Sequence, residues 1–561
     1  MSADESGRPS VLSSSAVMAA GTIVSRLSGF VRGALLAAAL GQFLHAELFT
    51  IANTIPNMLY ILLAGGIFNA VLVPQLVRAI ERDPDGGERY TNLVITVAAL
   101  FLAGVTAVLV IFAPLVMQVF LSEQYFTPEY DEHRASIIDL ARYCLPQVFF
   151  YGMFVLVGQI LNARGRFGPM MWAPIANNLI SVLVLVGYLV VFGPTPDPYA
   201  PYSTQQEMVL GIGSTLGIAA QLAVLVPFLR AAGVRYRPRF DLRGSGLGHT
   251  LRLATWTIGF IIVNQIAYTV VVRIASSGVA AGSVDDAGTG YTVYSQAFLL
   301  MMVPHSVATV SLATAILPRL SRSAAAGDLR AVGREVDHTL RTALTLILPF
   351  VLLLPIVAGP VVEVVYGWGA AAPNVEVYAP SLALFAPGLL FFTVHYLVLR
   401  GFYALEQTRT VFWVQCVVAS VNIAAAVAYT RDIDPIDTAP RLVLAYATAY
   451  LAGSIVSFLV LRRRTTGPEG PGVDLRGLAG AVGRMLAAAV PATAAAYGVR
   501  VGLEAWWGTD LKVVVVPTLV AVALAQMLVF VVLARRLRVA EVEEMVGLVA
   551  RRLPGRLRRS P

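Results

Sequence analysis

The feature that most constrains this chain is the recurrence of apolar windows about 20 residues long, each sufficient to cross a hydrocarbon core of about 30 Å. They fall near 13–40, 46–80, 91–121, 136–162, 169–193, 207–230, 249–276, 290–317, 337–366, 378–402, 408–430, 441–461, 480–502 and 512–535. Within lipid, each backbone N–H and C=O must be bonded inside its own segment, so these windows predict an all-α polytopic membrane protein of about 14 transmembrane helices. Composition agrees. Charged residues make up 13% of the chain and hydrophobic ones 57%, whereas a soluble globular chain carries roughly 25% charge. Met1 to Ser15 lack a basic start followed by an apolar core, so the first span is expected to act as its own insertion signal.

The net charge of +8 is concentrated in alternate loops. One set holds Arg78, Arg82 and Arg89; Arg164 and Arg166; Arg230 to Arg243; Arg319 to Arg334; Arg400 and Arg409; and Arg462 to Arg476. The other set is acidic or neutral: Glu123 to Glu132, Pro194 to Glu207, Asp285 and Asp286, and Asp432 to Asp437. By the positive-inside rule the arginine-rich loops face the cytoplasm, which places both termini there and predicts a cytoplasmic (inner) membrane protein. The charge therefore reflects topology and attraction to membrane phospholipids, and no nucleic-acid partner is expected. Lys512 is the only lysine, so the chain has no Gly-Lys-Ser/Thr phosphate loop. Cys144 and Cys416 stand in separate apolar stretches and read as small buried hydrophobes.

The two halves echo each other. Val73-Pro74-Gln75-Leu76-Val77-Arg78 resembles Leu317-Pro318-Arg319-Leu320-Ser321-Arg322, with the prolines 244 positions apart. Pro114 and Pro360 are offset by 246, and Pro146 and Pro387 by 241. The period spans six helices, an even number, so the repeats are parallel and predict a two-lobed transporter. The expected organisation is a tail 1–12, an N-lobe 13–233, a C-lobe 246–462, a cytoplasmic linker 463–479, two additional helices in 480–535 and a basic tail 536–561.

Charges inside spans are costly. Arg26 lies near the middle of the first window, where a centred arginine costs about 2.5–3.5 kcal/mol unless it faces a wet cavity or a partner. Arg32 follows six residues later, and paired arginines in a membrane cavity select an anion, since each guanidinium offers a planar fork of donors to phosphate or carboxylate oxygens. Glu47 opens the second span, either as a partner for Arg32 or as an interfacial residue. Arg273 in the seventh span reads first as pairing with a helix end. Gly65 and Gly66, with Pro56 and Pro74, interrupt the second span, and Pro304 the eighth; these are packing kinks or broken helices lining a cavity. His305 and His395 are isolated, and no nucleophile–base arrangement points to an enzyme.

Ser25-Arg26-x-x-Gly29-Phe30-Val31-Arg32, followed by Ala46-Glu47-Leu48-Phe49 and Ile55-Pro56-Asn57, resembles the opening of the MurJ (MviN) family of lipid II flippases. Gln159-Ile160-Leu161-Asn162 with Arg166-Phe167 and Ala173-Pro174 is similar to the family's fourth-to-fifth-span junction. Ala315-Ile316-Leu317-Pro318 and Phe402-Tyr403 with Thr408-x-Thr410 are similar to its second lobe. The resemblance covers roughly residues 15–535. It implies a MATE-like bundle of six plus six helices with two extra C-terminal helices. It also implies alternating-access export of undecaprenyl-pyrophosphate-linked disaccharide-pentapeptide (lipid II) for peptidoglycan assembly, with cell-wall synthesis proteins as candidate partners and no cofactor. Arg26 and Arg32 stand where the family has essential first-helix arginines, and Glu47 where an aspartate is usual. The chain departs from the family at Tyr60-Ile61, where an arginine pair is frequent, at Ala64-Gly65-Gly66 in place of Ala-Glu-Gly, and at Leu299 in place of an eighth-span arginine. Arg273 is a candidate to compensate. Coupling to the membrane potential or to a monovalent cation stays open, as do export of another polyprenyl-linked oligosaccharide or small molecule and a non-transporting scaffold role.

Overall fold

A computed structural model describes residues 11–62, 76, 79–80, 85, 87–240, 247–282, 287–468, 470–508 and 512–552. Helices account for nearly all of it, and among the described residues the only β-type pairing is an isolated bridge between Gly467 and Gly470. Twelve helices among these residues are long and apolar enough to cross a membrane, and they coincide with the third to fourteenth sequence windows. The first two windows are helical over α1 (Val11–Leu40) and α2 (Leu44–Tyr60).

Two compact units divide the chain. The first comprises Met1–Thr292 with Val365–Pro373 and Asp434–Ile436. After α1 and α2 it contains α3 (Glu88–Ile111), α4 (Ala113–Phe120), α5 (Asp131–Cys144), α6 (Gln147–Ala163), α7 (Gly168–Phe192), α8 (Thr204–Ala231) and α9 (Leu247–Ala280). Local sequence sets these boundaries. Pro146 separates α5 from α6, and Gly193, at φ +76°, ends α7 in a left-handed conformation that glycine adopts without strain. Ser203 and Gln206 form a reciprocal capping box at the start of α8. Apolar packing of α3, α6 and α8 builds a core that includes Ile95, Leu102, Phe154, Ile160 and Leu225.

Helix α9, which follows the sequence boundary at 246, makes polar contacts within the first unit. Gln265 Nε2 donates to the Met58 carbonyl on α2, and Ser276 Oγ accepts from the Ser122 backbone N–H at 2.9 Å. The Tyr130 hydroxyl donates to the Ala280 carbonyl.

The second unit holds α10 (Tyr291–Pro304) from Val293 onward, α11 (Ser311–Ala325), α12 (Leu329–Tyr366), α13 (Tyr378–Ala404), α14 (Thr408–Tyr429), α15 (Thr438–Arg464), α16 (Leu475–Trp507), α17 (Lys512–Arg536) and α18 (Ala540–Arg552). Its interior carries an aromatic column in which Tyr446 packs against Phe385 at 5.6 Å and Tyr450 at 4.5 Å between ring centroids. The additional helices α16 and α17 pack on α12 through Met485, Ala488 and Phe530 with Leu344 and Leu348. Arg500 on α16 donates to the Ile356 carbonyl, the group that Pro360 leaves without its helical donor four residues on. The segment expected as a linker folds back tightly: Gly467 and Gly470 exchange backbone hydrogen bonds of 3.1 and 3.0 Å, and the Gly472 N–H donates to the Thr465 carbonyl at 3.0 Å. Within the expected basic tail, α18 buries Val542 against the α12/α16/α17 core.

Candidate functional site

The first unit gathers the singled-out polar residues of its early spans. Asn178 on α7 fixes α1, its Nδ2 donating to the Ser25 carbonyl and to Ser28 Oγ, both at 2.9 Å. Gly29 faces the same amide; a Cβ there would lie 3.8 Å from it. Residues spaced by three and four share a helix face, so Arg32 continues the stripe of Ser25, Ser28 and Gly29. Arg26 does not. Six residues separate the two arginines, which on an α-helix is about 9 Å along the axis and roughly 120° around it. Arg26 is exposed and Arg32 half-buried, and among the described residues neither has a carboxylate partner.

On α6, Tyr151 stacks on Tyr60 at the end of α2, with ring centroids 5.3 Å apart and planes inclined by 19°. Both rings are half-buried. Sequence reasoning singled out Tyr60 only as a departure from an arginine pair and missed Tyr151, since an aromatic residue within an apolar span carries no local signal of its partner.

Along α2 the chain is interrupted but its polar groups are held. Pro56 removes the helical donor to the Ala52 carbonyl. Asn53 one turn earlier accepts from Gln147 Nε2 at 2.9 Å through its side-chain oxygen. Asn57 and Met58 precede a short π-turn at Ile61 and Leu62, and the Met58 carbonyl is the one that Gln265 satisfies. Gly65 and Gly66 lie outside the described residues.

Glu47, at the start of α2, is fully buried. It faces backbone rather than Arg32: the N–H groups of Tyr291 and Thr292 donate to its two carboxylate oxygens, each at 2.6 Å. These are the first residues of α10, so the carboxylate caps a helix N-terminus where its charge opposes the helix dipole. Gly290 makes the approach possible, because a Cβ at that position would stand 2.6 Å from Glu47 Oε1.

Arg273 is committed at a helix end. Its guanidinium donates to the Gln118 carbonyl in the last turn of α4 at 2.8 Å and lies 3.9 Å from the exposed Glu123 carboxylate. In the second unit, Pro304 closes α10 and the backbone passes into a π-helical turn over His305–Val310 before α11 resumes. His305 packs there against Phe392 and Tyr396, at 4.6 and 5.0 Å between ring centroids.

Comparison with known proteins places this geometry in context. A family model described as lipid II flippase MurJ matches residues 36–533. A curated relative from Rhizobium meliloti (strain 1021), named "Probable lipid II flippase MurJ", is 26% identical over 458 residues, covering 80% of this chain and 79% of the relative. The Haemophilus influenzae protein of the same name is 28% identical over 411 residues, covering 69% and 75%. Among solved structures, a lipid II flippase MurJ in an inward closed conformation superposes with a TM-score of 0.70 at 16% identity, over 93% of this chain and 99% of that one. An inward-facing multidrug resistance MATE family transporter of the MOP superfamily gives 0.62 at 14% identity, over 80% and 98%. The fold is thus the two-lobed helical bundle common to these transporters.

Proposed function

We propose that this chain, which belongs to the lipid II flippase MurJ family, is a transporter that carries lipid II across the cytoplasmic membrane for peptidoglycan synthesis. Its cargo carries a pyrophosphate at the junction of the polyprenyl tail and the sugars. The observation that carries the reading is Arg32: a half-buried guanidinium in a membrane helix with no carboxylate partner among the described residues. A cation so placed is stabilised by an anion brought from outside the protein. Arg26, six residues earlier on a different face, supplies a second contact as the cargo changes position. No covalent chemistry is required, since exposure of the site alternately to the two sides moves the head group while the tail stays in lipid.

In this reading the arginine-rich loops face the cytoplasm, and both termini with them, as the positive-inside rule supports, and attraction to anionic head groups accompanies that orientation. The driving force belongs to the membrane potential or a monovalent cation gradient. The test is depletion of the protein in its own cells, followed by complementation. Lipid II should accumulate in the inner leaflet on depletion, and Arg32→Ala should insert normally yet fail to restore its exposure outside. Normal growth on Arg32→Ala would refute the assignment, and accumulation of a different polyprenyl-linked glycan would reassign the cargo. Cysteines introduced into the arginine-rich loops should resist impermeant thiol reagents in intact cells.

A further inference from the structure

The second unit encloses a cavity of about 490 Å³ that the transport reading does not use. One wall is the first three turns of α12, where Arg330, Arg334, Asp337, His338 and Arg341 recur at spacings of three and four and so share a helix face. The turn Pro471–Asp474 and the start of α18 complete it. Two glycines let the turn close on the helix: a Cβ on Gly333 would stand 2.8 Å from the Gly472 backbone, and one on Gly472 would stand 2.9 Å from the Arg330 carbonyl. Asp337 Oδ2 pairs with Arg341 Nη2 at 2.7 Å, while Asp337 Oδ1 and Arg341 Nε are buried without a hydrogen bond. Asp474 crowds the same guanidinium, since a Cβ on Gly477 would run into Asp474 Oδ2 and Arg341 Nη2 together. Glu541 on α18 also lines the cavity and is only 7% exposed. Among the described residues it makes neither a hydrogen bond nor an ion pair. Val539 and Val542, on either side of it, are buried with Leu344 in an apolar core. A buried carboxylate is costly unless a donor meets it. Arg334 and His338, in contrast, are exposed, and Arg334 reaches only Asp328, at 3.8 Å.

We propose that this cavity is a binding site for an aminoethyl phosphate, whose primary ammonium donates to Glu541 while its phosphate meets Arg334 and His338. The buried end lacks a cation and the exposed end offers cations, so a ligand with a positive tip and a negative group two carbons behind it answers both. A bare phosphate would be repelled by Glu541, and a bare polyamine by the arginines. A quaternary ammonium has no N–H to give the carboxylate. A metal ion does not suit it either, because among the described residues no three His, Cys, Asp or Glu side chains are grouped to hold one. Aminoethyl phosphate is the head of a zwitterionic phospholipid and also exists free as phosphoethanolamine. The lipid is the source that the position favours: α12 turns apolar directly after Arg341, and α17 ends in Arg535 and Arg536 four residues before α18, which puts the cavity at a membrane boundary. The inference is independent of the cargo assigned above.

The experiment takes the purified full-length protein from nanodiscs of equal phosphatidylethanolamine and phosphatidylcholine and counts the lipids it retains by native mass spectrometry. The wild-type protein should retain phosphatidylethanolamine over phosphatidylcholine by about tenfold or more, the scale of a hydrogen bond to a charged group. Glu541→Gln keeps the volume and removes the charge, and should abolish that preference. Its unfolding midpoint should stay close to wild type, because the carboxylate has no bond within the protein to lose. Arg334→Gln should weaken retention of both lipids and leave the preference between them, since the phosphate is common to the two. Displacement of the retained lipid by free phosphoethanolamine would show that the head group suffices and that a soluble ligand can fill the site. Retention undisturbed by it would assign the site to the membrane lipid. Equal retention of the two lipids by the wild-type protein, or an unchanged preference in Glu541→Gln, would overturn the proposal. So would a preference lost together with a lowered midpoint, which would make Glu541 a structural group.

Discussion

Replacing Glu47 with glutamine changes one atom's chemistry at a fully buried position, and the consequence follows from the two contacts it makes. Both carboxylate oxygens accept backbone N–H groups at 2.6 Å. An amide retains one acceptor and turns an NH2 toward the other N–H, so one of the two donors at the head of α10 is left facing a donor. Loss of a hydrogen bond to a charged group costs about 1.5–3 kcal/mol, and loss of the negative charge at a helix N-terminus adds about 0.3–2 kcal/mol. A destabilisation of roughly 3 kcal/mol is expected. Glu47→Asp keeps the charge but withdraws it by one methylene, and should lose less. Glu47→Ala strands both N–H groups and should lose most. Unfolding midpoints of the purified proteins, taken at one scan rate because membrane proteins unfold irreversibly, give the order wild type, Asp, Gln, Ala. A glutamine variant as stable as wild type, or less affected than the aspartate variant, would refute the view that charge at this cap holds the start of α10.

Gly290→Ala should produce a similar loss without touching the carboxylate, since its Cβ would enter the space occupied by Glu47 Oε1; the midpoint measurement checks it. Asn178→Ala removes both tethers between α7 and the Ser25–Ser28 turn of α1 and should reduce complementation while the protein still inserts. Arg273→Gln, in contrast, should cost no more than about 1 kcal/mol, because both its bond to the Gln118 carbonyl and its pairing with Glu123 are exposed; complementation at the wild-type level is the expected result. Asp85 accepts the backbone N–H groups of Gly87 and Arg89 at 3.0 and 2.9 Å before α3, and these bonds, that from Arg89 foremost, hold its carboxyl below the usual range. A depressed folded pKa stabilises above the unfolded carboxylate's range and loses that contribution as pH falls through the folded value. Amide nitrogen shifts of Gly87 and Arg89 should therefore titrate at lower pH than an ordinary aspartate, and not titrate in Asp85→Asn.

What could be read in the sequence was what depends on short-range regularity. A span announces itself because lipid demands about 20 apolar residues in succession, and that demand located the helices from Glu88 to Arg536. Breaks were legible where proline caused them, as at Pro146 and Pro304. The bend after Ile111 belongs with these, since Pro114 stands in the first turn of α4 and has no N–H for the Val110 carbonyl. Partnerships were harder still. Glu47 and Tyr291 meet across 244 residues, and its bonds run to backbone N–H groups that every non-proline residue possesses, so no residue type at the far end could mark the contact. The same reasoning separates Arg26 from Arg32. Six residues of α-helix set them on different faces, and the far-off Asn178 that ties down the Ser25–Ser28 turn carries no mark of that role in the sequence. The charge that is expensive in lipid was visible from the sequence alone; the amide that anchors its helix became visible only when α1 and α7 were placed together.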